Sequence, residues 1–184
     1  MVKLSILICT LPERTDKLKK LFEVLLPQCK PNDTEVRIDN TPEIHIGAKR
    51  NNLINNANGD YCCFVDDDDL VSDVYVKSIL DNLGKDCVGI EGIISSDGQF
   101  PRKFIHSIEI DRWYTNGCEY YRPPNHLNPI RTDIVKRVMF NGNCSFGEDL
   151  QFAKAIRPLL KTENMIDYPI YYYLYKVKPG ECLP

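Results

Sequence analysis

The chain has 184 residues, 43% of them hydrophobic and 27% charged, with a formal net charge of −3. That length suits one domain with a substantial core, and the composition is that of a folded globular protein rather than a disordered or fibrous one. No apolar run approaches the roughly 18 residues that a bilayer span requires, and Leu4–Cys9 is too short an apolar opening for a secretory signal, so the expectation is a cytoplasmic protein with no membrane span.

The eight cysteines include no C-x-x-C pair, and His45, His106 and His126 do not stand at zinc spacing from them. Several lie in apolar runs, where cysteine behaves as a small hydrophobe, so reduced thiols are expected rather than a disulfide framework. The charge is unevenly spread. Residues 1–100 carry 11 basic against 17 acidic groups, a balance of −6, and residues 101–184 carry 12 against 9, a balance of +3. An acidic first half and a mildly basic second half suit two neighbouring substrate sites.

In chain order, residues 3–9 read as a strand. Thr10-Leu11-Pro12-Glu13-Arg14 turns the chain, with Pro12 and Glu13 suited to a helix's first turn. Leu18, Leu21, Phe22, Leu25 and Leu26 then recur at helical spacing, opposite Lys17, Lys19, Lys20 and Glu23, which predicts an amphipathic helix ended by Pro27. Residues 34–39 form a second strand, 46–57 a helix, and the turn Asn58-Gly59-Asp60 feeds a third strand, Tyr61-Cys62-Cys63-Phe64-Val65. The order βαβαβ favours a largely parallel sheet.

Further along, Asp73 is a candidate cap for a helix running to about Leu83, and residues 87–94 read as a strand before the turn Asp97-Gly98. Phe104-Ile105, Ile108–Ile110 and Trp113-Tyr114 look like short strands, and residues 122–129 like a rigid, proline-rich connection. A short helix from Thr132 through Val138 follows. Phe146-Gly147-Glu148-Asp149 then opens another helix, and residues 166–177 form an aromatic strand or pair of strands. There is no internal repeat or linker, so residues 1–184 read as a single domain.

The four carboxylates Asp66, Asp67, Asp68 and Asp69 directly follow the third strand. In open α/β sheets, ligands collect at the carboxyl ends of strands. Adjacent carboxylates at the rim of a core repel one another, and a hard divalent ion such as Mn²⁺ or Mg²⁺ relieves that while keeping positions open for substrate phosphates. The run therefore predicts a metal–phosphate site, against the plainer reading of a solvated acidic loop.

Taken together, these stretches resemble the nucleotide-sugar glycosyltransferases of the GT-A fold, family 2 in particular. The resemblance runs over nearly the whole chain. It rests on the opening strand with Thr10-Leu11-Pro12-Glu13-Arg14, Asp39-Asn40 after the second strand, Gly47-Ala48-Lys49-Arg50-Asn51, Phe64-Val65-Asp66-Asp67-Asp68-Asp69-Leu70, and Gly147-Glu148-Asp149-Leu150. It implies a Rossmann-like α/β domain, its mixed, mainly parallel sheet flanked by helices, with residues 1–100 serving a UDP-sugar donor and 101–184 a hydroxyl acceptor. It also implies single transfer with inversion, since the Q-x-x-R-W signature of processive synthases is absent.

The resemblance assigns roles by position. Thr10, Glu13 and Arg14, together with Asp39, would hold the nucleotide, a carboxylate being apt for the uracil N–H; Asp39 equally suits a turn. Arg50 would neutralise the diphosphate, or be a solvated helix charge. Asp66 and Asp68 would form the D-x-D pair, Asp68 on Mn²⁺ or Mg²⁺ and Asp66 on the ribose or the metal. Asp67 and Asp69 are less determined, one of them being a candidate helix cap.

Asp149, with Glu148 second, would be the base that takes the acceptor's proton, unless the pair only caps its helix. No histidine follows His126, where many family members place a metal ligand. Tyr173, Tyr175, Lys176 or Lys178 are the substitutes to consider near the phosphates. His126 reads as a loop residue or an acceptor-site residue, and Trp113 with the tyrosines of 114–121 as core or as a sugar-stacking surface. The acceptor is open among small molecule, glycan and protein, with nucleic acid less favoured. Two other functions compete: a sugar-nucleotide nucleotidyltransferase, disfavoured because residues 10–14 contain no glycine, and a non-catalytic metal- or sugar-binding module.

Overall fold

The computed structural model describes residues 1–143 and 147–177; Cys144, Phe146, Lys178 and Cys182 lie outside them. All six residues of β1 (Leu4–Cys9) are buried. Leu4, Ile6 and Ile8 enter one core, and Leu7 and Cys9 the other. This is the period-two alternation of a strand covered on both faces.

A 3₁₀ turn at Pro12–Arg14 leads into α1 (Thr15–Leu25). Leu21 and Leu25 are buried, with Leu18 and Phe22 packed beside them. Leu26 departs from the predicted stripe: it falls in the 3₁₀ turn after the helix, where the winding changes, and is exposed. β2 (Thr34–Asp39) runs parallel to β1 on one side. After α2 (Ile46–Asn56), β3 (Tyr61–Phe64) runs parallel to it on the other.

Next come β4 (Leu70–Val71), α3 (Tyr75–Asp81), β5 (Cys87–Ser96), β6 (Gln99–His106), β7 (Tyr114–Asn116) and β8 (Glu119–Arg122). β9 (Ile130–Arg131), α4 (Thr132–Val135), α5 (Glu148–Ile156) and β10 (Glu163–Tyr175) complete the order. The strands form one sheet in the order β2-β1-β3-β9-β5-β6-β8-β7, with β10 lying parallel to β5 and antiparallel to β4. The sheet is mixed and mainly parallel, as expected.

α1 and α3 cover one face, and α2, α4 and α5 the other. Each fully buried Leu or Ile in these cores contributes about 1.5–3 kcal/mol. Among the described residues no helix is long and apolar enough to cross a membrane.

Two local expectations are corrected. Asp73 does not cap α3, whose N-cap is Val74 with no side-chain cap. Ile108–Ile110 is a turn, not a strand: the Ile110 N–H reaches Ser107 O at 3.1 Å, and both isoleucines are buried because the turn folds inward. The proline-rich connection is internal, residues 123–130 all being buried. Its polar backbone survives there because partners are supplied locally. Asn128 Oδ1 accepts Asn125 N–H at 3.1 Å, Asn125 Oδ1 accepts Leu127 N–H at 3.0 Å, and Phe64 N–H donates to His126 O at 2.8 Å.

One glycine positions the start of α2. A Cβ on Gly47 would lie 2.2 Å from Asn141 O, so only glycine lets the helix meet the loop that leads toward α5.

Candidate active site

The C-terminal ends of β1 and β3 and the first turns of α2 and α5 converge on one cavity of about 460 Å³. Its walls include Arg14, Arg50, Asp66, Asp67, Asp68, Glu148 and Asp149 from the sequence-based set. Thr10 opens on an adjoining hollow that shares Cys9, Arg14 and Ile46 with the first. Glu13 and Asp39 are not brought to this cavity. Glu13 is exposed on the 3₁₀ turn. Asp39 lines a separate surface hollow, where its Oδ1 accepts the Thr41 N–H at 3.0 Å.

Each aspartate of the acidic run has a different environment. Burial works against the charge on Asp66, but His126 and Arg50 overcome it and hold the carboxyl well below its usual range. His126 Nε2 lies 3.4 Å from Oδ2, and Arg50 Nη2 3.4 Å from Oδ1. Asp67 is buried, accepts Thr10 Oγ1–H at 2.6 Å and lies 2.8 Å from Arg14 Nη1. Asp68 is the more open carboxylate and pairs with Arg14 and with Lys17 Nζ at 3.1 Å.

Asp69 turns away from the cavity. It accepts Tyr171 O–H at 2.8 Å and Leu174 N–H at 2.8 Å, while burial and the neighbouring Asp66 push its carboxyl up. The same Tyr171 hydroxyl accepts the Asp66 N–H at 3.1 Å. β10 therefore fixes the acidic loop from beneath, and neither Asp67 nor Asp69 caps a helix.

Arg50 is 2% exposed and is no solvated helix charge. Its guanidinium lies against the Phe64 and Phe140 rings, at 5.5 and 5.2 Å, and donates from Nη1 to Glu148 Oε1 at 2.6 Å. It thus joins the end of β3 to the start of α5. Gly147, at φ 76°, turns the chain into α5, a backbone that glycine adopts without penalty. Asp149 follows in the first turn. Its Oδ1 accepts its neighbour's N–H, Leu150, at 2.8 Å. Among the described residues it is the one cavity carboxylate outside an ion pair.

Sequence reasoning undervalued four residues. His126 is buried beside Asp66 rather than loose in a loop. Lys49 is buried and donates to Thr10 O at 2.6 Å. Tyr171 anchors the acidic loop, and Arg122 reaches the cavity stacked on Trp113. The available signals were a Lys-Arg pair near the start of an asparagine-rich helix, and a tyrosine cluster in a strand long enough to be central. Of the substitutes for a late histidine, Tyr173 lines the cavity; Tyr175 does not, and Lys176 is exposed.

Cys9 also lines the cavity, but burial pushes its thiol up to about 12, so it is a neutral wall at pH 7 and not a nucleophile. Among the described residues no group of three or more His, Cys, Asp and Glu is arranged as a metal cage. Mg²⁺-like ions seldom use such cages, taking one or two carboxylates plus water and substrate phosphates. The open, hard-oxygen carboxylate of Asp68 at the cavity rim, with Asp66 two residues before it, fits that mode.

The model of the family "Glycosyl transferase family 2" matches residues 12–147. Among solved structures, S. aureus TarS 1–349 in complex with UDP superposes with a TM-score of 0.70 at 16% identity, over 97% of this chain and 61% of that one. The same protein in complex with UDP-GlcNAc gives a TM-score of 0.66 at 14% identity, over 99% and 62%. This chain thus spans about three fifths of those TarS chains, and at such identity the likeness shows the fold. No curated protein matches the chain.

Proposed function

The chain belongs to glycosyl transferase family 2, and from that premise we propose that it is a metal-dependent, inverting enzyme that moves one sugar from a UDP-sugar to a hydroxyl. The observation that carries this reading is that the unpaired carboxylate of Asp149 shares one cavity with Asp66, Asp67 and Asp68. The UDP and UDP-GlcNAc of the TarS complexes support the choice of donor.

The donor's diphosphate would lie along the acidic rim, beside the Arg14–Asp68 pair. Mn²⁺ or Mg²⁺, held by Asp68 with Asp66, would supply Lewis-acid stabilisation of the departing UDP. Arg50 keeps Asp66 and Glu148 at fixed separation, so the donor and acceptor halves stay in register. The acceptor hydroxyl approaches the sugar from the side of Asp149, which takes its proton. The new C1–O bond forms as the C1–O bond to UDP breaks, the leaving oxygen keeps the electron pair, and the anomeric configuration inverts. Unpaired and close to the reacting hydroxyl, Asp149 is the suitable base; Glu148, committed to Arg50, is a positioning residue.

The test is UDP release from UDP-GlcNAc, UDP-glucose and other UDP-sugars with Mn²⁺. Release with at least one donor is expected. No turnover with any of them would return the protein to the class of binding modules, and pyrophosphate release from a nucleoside triphosphate with a sugar phosphate would make it a nucleotidyltransferase.

A further inference from the structure

We infer that Arg14 and Lys17 receive the donor's diphosphate and thereby make divalent-ion binding at the acidic rim conditional on the donor. The inference rests on the glycosyl-transfer reading and adds to its donor site a lysine from α1.

One oxygen, Asp68 Oδ2, accepts from two cations: Arg14 Nη2, and Lys17 Nζ at 3.1 Å. Arg14 also reaches back, its Nη1 standing 2.8 Å from Oδ1 of the buried Asp67. Both cations point the same way because Arg14 closes the 3₁₀ turn and Lys17 lies three residues on, in the first turn of α1. Two positive charges thus face two negative ones. Asp66, the remaining carboxylate of the rim, faces Arg50 at 3.4 Å. The acidic run is therefore rich in carboxylates but poor in uncompensated charge.

Ions of the Mg²⁺ kind bind through one or two carboxylates and take other ligands from water and substrate phosphates. An ion on Asp68 Oδ2 meets the two cations that already share that oxygen, and like charges repel. A diphosphate removes the conflict: its oxygens accept from both cations and leave Asp68 to the ion. The two side chains suit this exchange. Arg14 keeps Asp67 through Nη1 while Nη2 turns to a phosphate oxygen, and the partly exposed Lys17 carries a compact charge on a flexible stem. Donor and ion bind better together than apart, and by linkage each strengthens the other by the same factor.

The experiment is calorimetric. Mn²⁺ is titrated into the protein alone and with UDP present, and UDP into the protein with and without Mn²⁺. In wild type UDP should tighten Mn²⁺ by about tenfold or more, within the usual range for coupled sites. Lys17→Gln should move the two ligands in opposite directions. Mn²⁺ alone should bind up to about fivefold tighter, the size of one partly exposed ion pair, whereas UDP with Mn²⁺ should bind more weakly. The coupling factor falls accordingly, and Arg14→Gln should lower it further. Lys17→Gln is the decisive variant, since Lys17 pairs with Asp68 alone among the described residues, while Arg14 also neutralises Asp67. Loss of folded protein weakens both ligands and does not imitate opposite signs.

Equal Mn²⁺ affinity with and without UDP overturns the inference and leaves the donor reading intact. So does a Lys17→Gln variant with the wild-type coupling factor. Weaker Mn²⁺ binding in that variant, with and without UDP alike, also overturns it, since the lysine then only shapes the acidic loop. Failure of UDP to bind under either condition removes the donor reading, and this inference with it.

Discussion

Arg50 Nη1 donates to Glu148 Oε1 at 2.6 Å across 98 residues of sequence, while Nη2 stands 3.4 Å from Asp66 Oδ1. One guanidinium therefore neutralises a carboxylate from each half of the cavity. Arg50→Ala would leave Glu148 without a counter-ion and Asp66 with only His126 beside it, and removing one partner of a buried pair costs about 3–5 kcal/mol. Arg50→Lys keeps the charge but loses the two-pronged geometry, so a smaller loss is expected. Urea unfolding of both variants checks the order. Equal stability of Arg50→Ala and wild type would remove Arg50 from its positioning role.

Asp149→Asn keeps the shape of the site but cannot accept a proton. General-base loss of this kind lowers kcat by about 10²–10⁴. UDP affinity, measured calorimetrically, should change far less than kcat. Glu148→Gln should instead lower stability and kcat together, because it weakens the link to Arg50. Similar losses of kcat alone in the two variants would contradict the division of roles.

Chelation of divalent ions should abolish UDP release, and added Mn²⁺ should restore it. Asp68→Asn should raise the Mn²⁺ concentration needed for half-maximal rate, since an amide oxygen is a weaker ligand than a carboxylate. An unchanged Mn²⁺ dependence in that variant would move the ion elsewhere along the acidic rim.

His106 makes stability fall on mild acidification. Its folded pKa, pushed down to about 3 by burial and by Arg122, lies below the ordinary 6.5. The unfolded chain therefore binds the proton first, and stability is lost as pH falls from 6.5 toward 3, by at most about 1.4 kcal/mol per pH unit. Glu35 acts lower. Burial opposes its ionisation, but hydrogen bonds from Ser5, Asn58 and Arg37 outweigh it and hold the group at about 2. Its stabilisation is full above the ordinary 4.5 and lost as pH falls toward 2. Denaturant midpoints between pH 7 and 5 should thus decline in wild type and decline less in His106→Gln. An identical slope in the variant would assign the acid sensitivity to other groups.

Local pattern was enough to read much of the fold. Near-continuous apolar runs at residues 4–9 and 61–65 specified buried strands, and the spacing of Leu18, Leu21, Phe22 and Leu25 specified α1. It misled where spacing imitated structure: Ile108 and Ile110 alternate like a strand but close a turn, because Ser107 O captures the Ile110 N–H. Prolines around residues 123–129 marked a rigid connection, and asparagine side chains satisfy its backbone in the interior, which the pattern alone did not specify.

By itself the sequence determined which residue types stand at the ends of which elements: an acidic run after the third strand, a Lys-Arg pair in the second helix, a Glu-Asp pair opening a late one. Only the tertiary structure decided their partners. It sent Arg50 to carboxylates rather than solvent, set His126 and Tyr171 against the acidic loop, and left Asp149 and Arg122 without ion pairs among the described residues. The physical reason is that local pattern depends on neighbours within a few residues, whereas a buried charge is governed by whatever the sheet order places within hydrogen-bonding reach.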